Sequence, residues 1–358
     1  MAKPPSYEGT GLVNLIAEIE YRMTGESPSP RLTDPTAVPD AATYVLVLFD
    51  GLGAAQLEHS AARSLANSLA GTLDAPFPTT TSVSLATVAT GLPPSQHGQV
   101  AHLTWMPDLD QVVNSLKWVS LSGEPVTYDF PSVLPPDNLW ERLRARRVEP
   151  ITVQPGDFSG SPLSRTLYRG ARFEGAWDVD DLVTATAQLA GEPNRFIFTY
   201  VPHVDFAGHV FGLASTEFAD AMRIAVSVWE GIAAALPPGA ALLGTADHGL
   251  LEFDEEQKVL IREPRFDSLR FAGDTRGVHL WGDHDLMKEL ATMTGGELVD
   301  PVGLLGPSPT EVTKSRLGQK LLLSPDNRAL LPKGFDKRLR CYHGGLSDAE
   351  VKIPLLIG

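Results

Sequence analysis

Cysteine is almost missing: Cys341 stands alone among 358 residues, so no intrachain disulfide can form and cysteine usage leaves the redox compartment open. Basic charge is scarce as well. Against 44 Asp and Glu there are 29 Lys and Arg, a formal balance of −15, which argues against a nucleic-acid coat or a polybasic membrane patch. Long apolar runs are absent, since nowhere do roughly 18 apolar residues follow one another. The first residues, MAKPPSYEGTGLVNLIAEIEYRM, lack a basic segment leading into a long apolar one. A soluble, cytoplasmic chain without a membrane partner is the expectation. Disorder is excluded by what is present: 43% apolar residues against 20% charged, with apolar segments recurring along the whole length. No repeat or low-complexity tract is evident.

The length suggests one large domain carrying a smaller inserted piece. Helically spaced Leu12, Leu15, Ile16, Ile19 and Met23 precede a Pro-rich stretch from Ser27 to Pro39, so residues 1–40 read as a helix and a surface linker. TYVLVLF (43–49) is a short, continuously apolar, β-branched run ending in Asp50-Gly51, the pattern of a buried parallel strand. The same grammar returns in RFIFTYV (195–201), ALLGTA (241–246) and KIPLLIG (352–358). Residues 55–70, 137–147, 178–190 and 216–235 carry apolar positions at three- and four-residue intervals, which predicts helices between the strands. Strands alternating with helices imply an α/β fold with a doubly wound, mostly parallel sheet covered by helices on both faces. Its core is expected over 41–250 and 341–358. Residues 251–340 read as an inserted cap, with strands at 258–262, 269–272 and 277–281 and a helix near 284–294. Ligands of such sheets bind outside the carboxyl ends of the strands.

The candidate chemistry sits at those ends. Asp50, Asp247 and His248 each directly follow an expected strand, and together they offer carboxylate oxygens and an imidazole, a mixed set suited to zinc or manganese. In YVPHVDFAGHVFG, Asp205 and His209 are four residues apart, so one helical face would carry both. His343 in CYHGG adds an imidazole beside two glycines. Each residue taken singly also fits a turn former, a helix cap or a polar loop residue. In FPTTTSVSLATVATGLPPSQHG (77–98) a run of hydroxyls opens an apolar helical pattern, and free N–H groups at that helix start would face an approaching anion. Ordinary N-capping by Thr80 or Thr81 is the competing reading there.

Taken together, FDG (49–51), PTTTSVSLATVATG (78–91), HG (97–98), the Asp205/His209 pair, ADHG (246–249) and HGG (343–345) resemble the alkaline-phosphatase superfamily, closest to its nucleotide pyrophosphatase/phosphodiesterase branch. The order and spacing match from about residue 43 to the C-terminus, leaving residues 1–40 and the cap uncovered. The resemblance implies that Asp50, Asp247, His248 and the Thr81 hydroxyl bind one divalent cation and that Asp205, His209 and His343 bind a second. It makes Thr81 the nucleophile, with Thr80 as the fallback. At Ser84 the chain departs from the branch pattern; a hydroxyl there can donate one hydrogen bond to a phosphate oxygen, and the change leaves preference for diesters open. No Cys-x-Pro-x-Arg accompanies the nucleophile, which disfavours a sulfatase.

The resulting expectation is a two-metal phosphohydrolase, with zinc favoured over magnesium by its three imidazoles and manganese as the alternative. Its substrate would be a small phosphoester, with nucleotides as the leading class. Three carboxylates on two divalent ions would leave a residual charge of about +1 to attract it. A phosphomonoesterase or phosphomutase could use the same site, and a catalytically silent metal-binding module is the reading from another class. Arg276 and His279 could reach substrate or serve as surface salt-bridge partners. Trp105, Trp118 and Trp281 could stack on a base or simply pack in a core. His97 is expected to be structural, and oligomeric state is not legible.

Overall fold

Why three sequence-distant acids come to one edge is decided by strand register. The computed structural model describes residues 4–358. Its first sheet runs in the order β2 (Leu69–Asp74), β18 (Lys352–Ile357), β9 (Ala240–Ala246), β1 (Thr43–Phe49), β8 (Arg195–Val201), β6 (Glu149–Pro155) and β7 (Arg172–Ala176). The five strands from β9 to β7 are mutually parallel, whereas β18 is antiparallel to both its neighbours. In β1 every residue is buried, as a strand covered on both faces requires. Phe49 lies opposite Val201 of β8 and Ala246 of β9, so the three strands finish level and the next residues of each emerge at one rim. This bears out the doubly wound sheet expected from the apolar runs.

Helices Leu139–Ala145, Val179–Leu189 and Thr216–Ala235 lie within or beside the expected stretches. The longest starts where the Ser215 hydroxyl accepts from the Phe218 N–H. It turns Phe218, Ala221, Met222, Ala225, Val228, Trp229 and Ile232 inward at three- and four-residue intervals. The stretch 55–70 departs from the reading. It breaks into 3-10 turns (Ala54–Glu58, Ser60–Ala62) and a four-residue helix, because His59 is extended (ψ 134°), and its end is already the edge strand β2.

The second sheet is antiparallel throughout, in the order β14 (Glu297–Val299), β15 (Lys320–Leu323), β13 (Gly277–Trp281), β12 (Arg270–Asp274), β3 (Leu103–Met106), β4 (Gln111–Asn114) and β5 (Val119–Ser120). Two short pairs stand apart from both sheets, β10 (Leu251–Glu252) with β17 (Cys341–Tyr342), antiparallel, and β11 (Lys258–Leu260) with β16 (Ala329–Leu331), parallel. Pairing also ties a stretch before β6 to the segment 251–340. Residues 103–120 ladder with that segment through Gly273 opposite Leu103, and Leu103, Trp105 and Val112 share its apolar cluster, whereas Met106, Val113 and Trp118 pack with Val126, Phe130 and Val133. Nor is the first helix a detached piece. Leu12, Leu15, Ile16 and Ile19 of Leu12–Thr24 lie in the main core, and Arg142 clasps Glu20 at 2.7 Å. Among the described residues no helix is long and apolar enough to cross a membrane.

Candidate metal centre and nucleophile

At the rim, Asp50 follows β1 and Asp247 and His248 follow β9, their potential ligand atoms all within 4.8 Å of one another. Backbone bonds pin the junction: the Asp50 N–H donates to Val201 O (3.0 Å), and the Asp205 N–H donates to Asp50 O (3.0 Å). Gly51 is required here. Its φ is +73°, and a Cβ would come within 2.8 Å of the Asp205 Cα. Asp247 Oδ1 accepts the N–H groups of Gly51 and His248, which leaves Asp247 Oδ2 free for another partner.

Asp205 and His209 share one face of the helix His203–Phe211, and His343 closes a second cluster within the same 4.8 Å limit. Ring tautomers follow from the partners. His209 Nδ1 faces Cys341 O (2.7 Å), His343 Nδ1 faces Thr79 O (2.8 Å) and His248 Nδ1 faces Gly249 O (3.2 Å). A carbonyl only accepts, so each Nδ1 carries the hydrogen and each Nε2 lone pair is directed elsewhere, the arrangement by which outer partners orient metal-binding histidines. The rings of His248 and His343 stack at 3.7 Å between centroids, which sets the two clusters side by side.

Three carboxylate oxygens, Asp50 Oδ1, Asp205 Oδ1 and Asp247 Oδ2, are buried without a hydrogen-bond partner. Orphaned buried carboxylate oxygens are costly unless a cation meets them, so the donor set fits divalent ions. The ionisation pattern agrees. Burial, then the charges of Asp247 and Asp205, push Asp50 well above the usual carboxylate range. For Asp205 burial acts in the same direction, yet His209, His343 and His248 outweigh it and hold the group below that range. Burial and the neighbouring His248 push His343 well below the usual imidazole range.

Thr81 is the first residue of the helix Thr81–Thr90, with Thr80 as its N-cap, and its Oγ1 lies 3.2 Å from His248 Nε2. Of the three threonines it is therefore Thr81 that meets the first cluster. Ser84 is fully buried and donates to the main-chain oxygen of Asp247 at 2.8 Å, which ties the helix to the end of β9.

Thr81, Asp205, His209 and His343 line a cavity of about 310 Å³ together with Asn114 of β4, His102 and Lys117 beside strands of the second sheet, and Asp274 and Phe335. A model of the type I phosphodiesterase / nucleotide pyrophosphatase family matches residues 44–283. The chain belongs to that family.

The motifs of this phosphodiesterase-family chain thus carried a sound resemblance. Among solved structures, the murine ectonucleotide pyrophosphatase / phosphodiesterase 5 superposes with a TM-score of 0.64 at 14% identity, covering 87% of each chain. That protein is also known as an inactive threonine-to-alanine variant in complex with AMP, with the same coverage. Phosphonoacetate hydrolase from Sinorhizobium meliloti in complex with phosphonoacetate gives 0.64 at 16% identity, over 89% of this chain and 91% of that one. At such identities the likeness is one of fold. No curated protein sequence matches.

Several supporting residues of this family member escaped the sequence reading. The buried hydroxyl of Tyr200 donates to Asp50 Oδ2, and Thr79 Oγ1 donates to Gly345 O (3.0 Å) while accepting from the Gly344 N–H (3.1 Å). A polar-tipped aromatic near the carboxyl end of an otherwise apolar strand was the available signal for Tyr200. Arg276 and His279 reach neither the cavity nor the surface; they are 1% and 2% exposed, and Arg276 pairs with Glu350. Trp105 and Trp281 pack against each other and Trp118 against Phe130, the core role rather than base stacking. His97 is buried against Thr87, a structural residue as expected.

Proposed function

We propose that this chain is a two-cation phosphohydrolase cleaving phosphodiester or pyrophosphate bonds of nucleotide-like substrates through a phosphothreonine at Thr81. One observation carries the reading: three partnerless buried carboxylate oxygens and three oriented Nε2 atoms fall into two adjacent clusters, with the Thr81 hydroxyl against one of them. Asp50, Asp247, His248 and the Thr81 oxygen would hold one ion, and Asp205, His209 and His343 the other. Zinc suits this nitrogen and oxygen set, with manganese as the alternative. When bound, such a pair supplies Lewis-acid stabilisation of negative charge on the attacking and leaving oxygens.

Thr81 Oγ1 attacks phosphorus from the helix start; its bond to phosphorus forms as the phosphorus–leaving-oxygen bond breaks, and the hydroxyl proton leaves to solvent or the departing oxygen. At the start of Thr81–Thr90 the N–H groups of Val83 and Ser84 already bond Thr80 O, so those of Thr81 and Ser82 are the ones that can take up equatorial phosphoryl oxygens. Asp247 is held for this task twice over, by the Gly51 N–H on its side chain and by Ser84 on its carbonyl. Water then cleaves the Thr81 ester and restores the hydroxyl. The murine neighbour's AMP complex and its inactive threonine-to-alanine variant support a nucleotide substrate and a threonine nucleophile.

The test is hydrolysis of bis-p-nitrophenyl phosphate and of p-nitrophenyl phosphate by zinc-loaded protein. Thr81→Ala should abolish diester turnover while both ions stay bound; full activity in that variant would defeat the mechanism. A monoester preference of more than roughly tenfold would instead favour a phosphomonoesterase on the same site.

A further inference from the structure

A fully buried carboxylate outside both clusters touches the loops that carry them. Glu350 is 0% exposed, in the short helix Asp348–Val351 just before β18. Its Oε1 accepts the Gly345 N–H (2.9 Å) and Arg276 Nε (3.2 Å). Its Oε2 accepts the Ser347 hydroxyl (2.7 Å) and Arg276 Nη2 (3.3 Å). Its main-chain oxygen accepts the Gly249 N–H at 3.0 Å. Gly345 ends the loop that starts at His343, and Gly249 directly follows His248. One residue therefore holds the backbone behind an imidazole of each cluster.

The packing leaves this arrangement no slack. A Cβ on Gly249 would fall 2.0 Å from Ala349 O, and one on Gly345 would fall 2.7 Å from Glu350 Oε2, so both glycine loops lie directly on residues 349–350. Arg276 approaches from the other domain. It sits in the turn between β12 and β13, and its Nη1 is spent on the carbonyls of Pro325 and Arg328. Glu350 thus joins the His343 loop, the His248 loop and the second sheet at a single buried point. An apolar pair would hold the two sheets together as well as an ion pair does. What an apolar side chain cannot do is accept from Gly345, Ser347 and both Arg276 nitrogens at once, which a carboxylate alone provides.

We propose that Glu350, with Arg276, is a positioning residue that keeps the His248 and His343 loops in ligating register, so that both cation sites are assembled or loosened together. This rests on the two-cation reading above. Neither residue belongs to a cluster, so the effect passes through backbone position.

The experiment is calorimetric titration of chelator-stripped protein with zinc chloride, wild type against Glu350→Gln, whose amide must set a donor against Gly345, Ser347 or Arg276. Wild type should bind two ions, and Glu350→Gln should bind both roughly 10–100-fold more weakly. Excess zinc should return kcat close to the wild-type value, a rescue that general loss of packing would not give. If Glu350→Gln does not fold by circular dichroism, Arg276→Lys, which keeps the charge but loses the two-pronged contact, takes its place, with both sites weakened in parallel. Unchanged affinity, or weakening of one site only, overturns the proposal. Failure of the wild type to bind two ions would overturn the two-cation reading itself.

Discussion

The two candidate cation clusters share chemistry but not setting. Asp50, Asp247 and His248 leave the ends of central strands and their side chains are 6%, 0% and 0% exposed. Asp205, His209 and His343 come from a helix and a loop, and theirs are 15%, 17% and 12% exposed along the cavity wall. In the buried cluster the ligands are fixed by the sheet register, and Asp50 meets like charge from Asp247. In the open cluster Asp205 faces His209 and His343, which with His248 outweigh burial and favour its charged form. The same ligand count thus gives one site enclosed beside Thr81 and one open to the cavity.

The largest effect should come from the group between the two settings. Thr81→Ala should lower diester hydrolysis by about a thousandfold or more, with both ions retained by metal analysis. Should the variant instead lose the buried ion, Thr81 is mainly a ligand and the comparison must be redrawn. The next effect separates the clusters directly. Chelator added to loaded protein should remove the ion of the open cluster first and that of the buried cluster at least about tenfold more slowly. His209→Asn should abolish the fast phase and Asp247→Asn the slow one. A single release phase in the wild type would erase the distinction.

How much of this was legible depended on what fixes each residue. Asp50, Asp247 and His248 were readable because a parallel strand in an α/β sheet delivers the residues just beyond its end to one rim, and Asp205 with His209 because four residues make one helical turn. That Thr81 and not Thr80 meets His248 depends on where the helix begins to within one residue, which hydroxyl-rich sequence does not specify. The Ser84 contact is not legible because its partner, the carbonyl of Asp247, lies 163 residues away. Tyr200 is 150 residues from Asp50 and shows only its polar tip at a strand end, and the Arg276 partner of Glu350 is 74 residues away. The edge strand β2 is half exposed and lacks an apolar run, so it read as the tail of a helix. Residues 103–120 sit between core elements in sequence, and only the ladder to β12 assigns them to the second sheet.

Tyr200→Phe separates the two clusters by a smaller effect, because its hydroxyl serves the buried cluster alone. The change keeps the ring and removes the donor to Asp50 Oδ2, so zinc affinity of the buried site should fall by roughly tenfold while the open site is unmoved. Two-site fits of calorimetric titrations read this out. Equal weakening of both sites would mean that the clusters are coupled through Asp50 and not independently supported.

Acid would strip ions from either cluster, so the pH response of the fold itself has to be known from a residue outside both. His97 is that residue. Its Nδ1 accepts the Gln99 N–H (3.1 Å), so the hydrogen sits on Nε2 and donates to Thr87 Oγ1 (3.1 Å). Burial, with the nearby Arg316, lowers its pKa from 6.5 to about 3. The folded state therefore refuses a proton that the unfolded chain accepts: the His97 contribution is intact above pH 6.5 and is lost as pH falls towards 3. In ion-free protein the slope from this group approaches ~1.4 kcal/mol per pH unit across that window. His97→Gln should cost stability at pH 7 yet flatten the acid limb of urea midpoints measured between about pH 7 and 4. Parallel profiles for the two proteins would assign the acid loss to other groups, the half-buried His102 and the buried His279 first among them, both lowered to about 4 chiefly by desolvation.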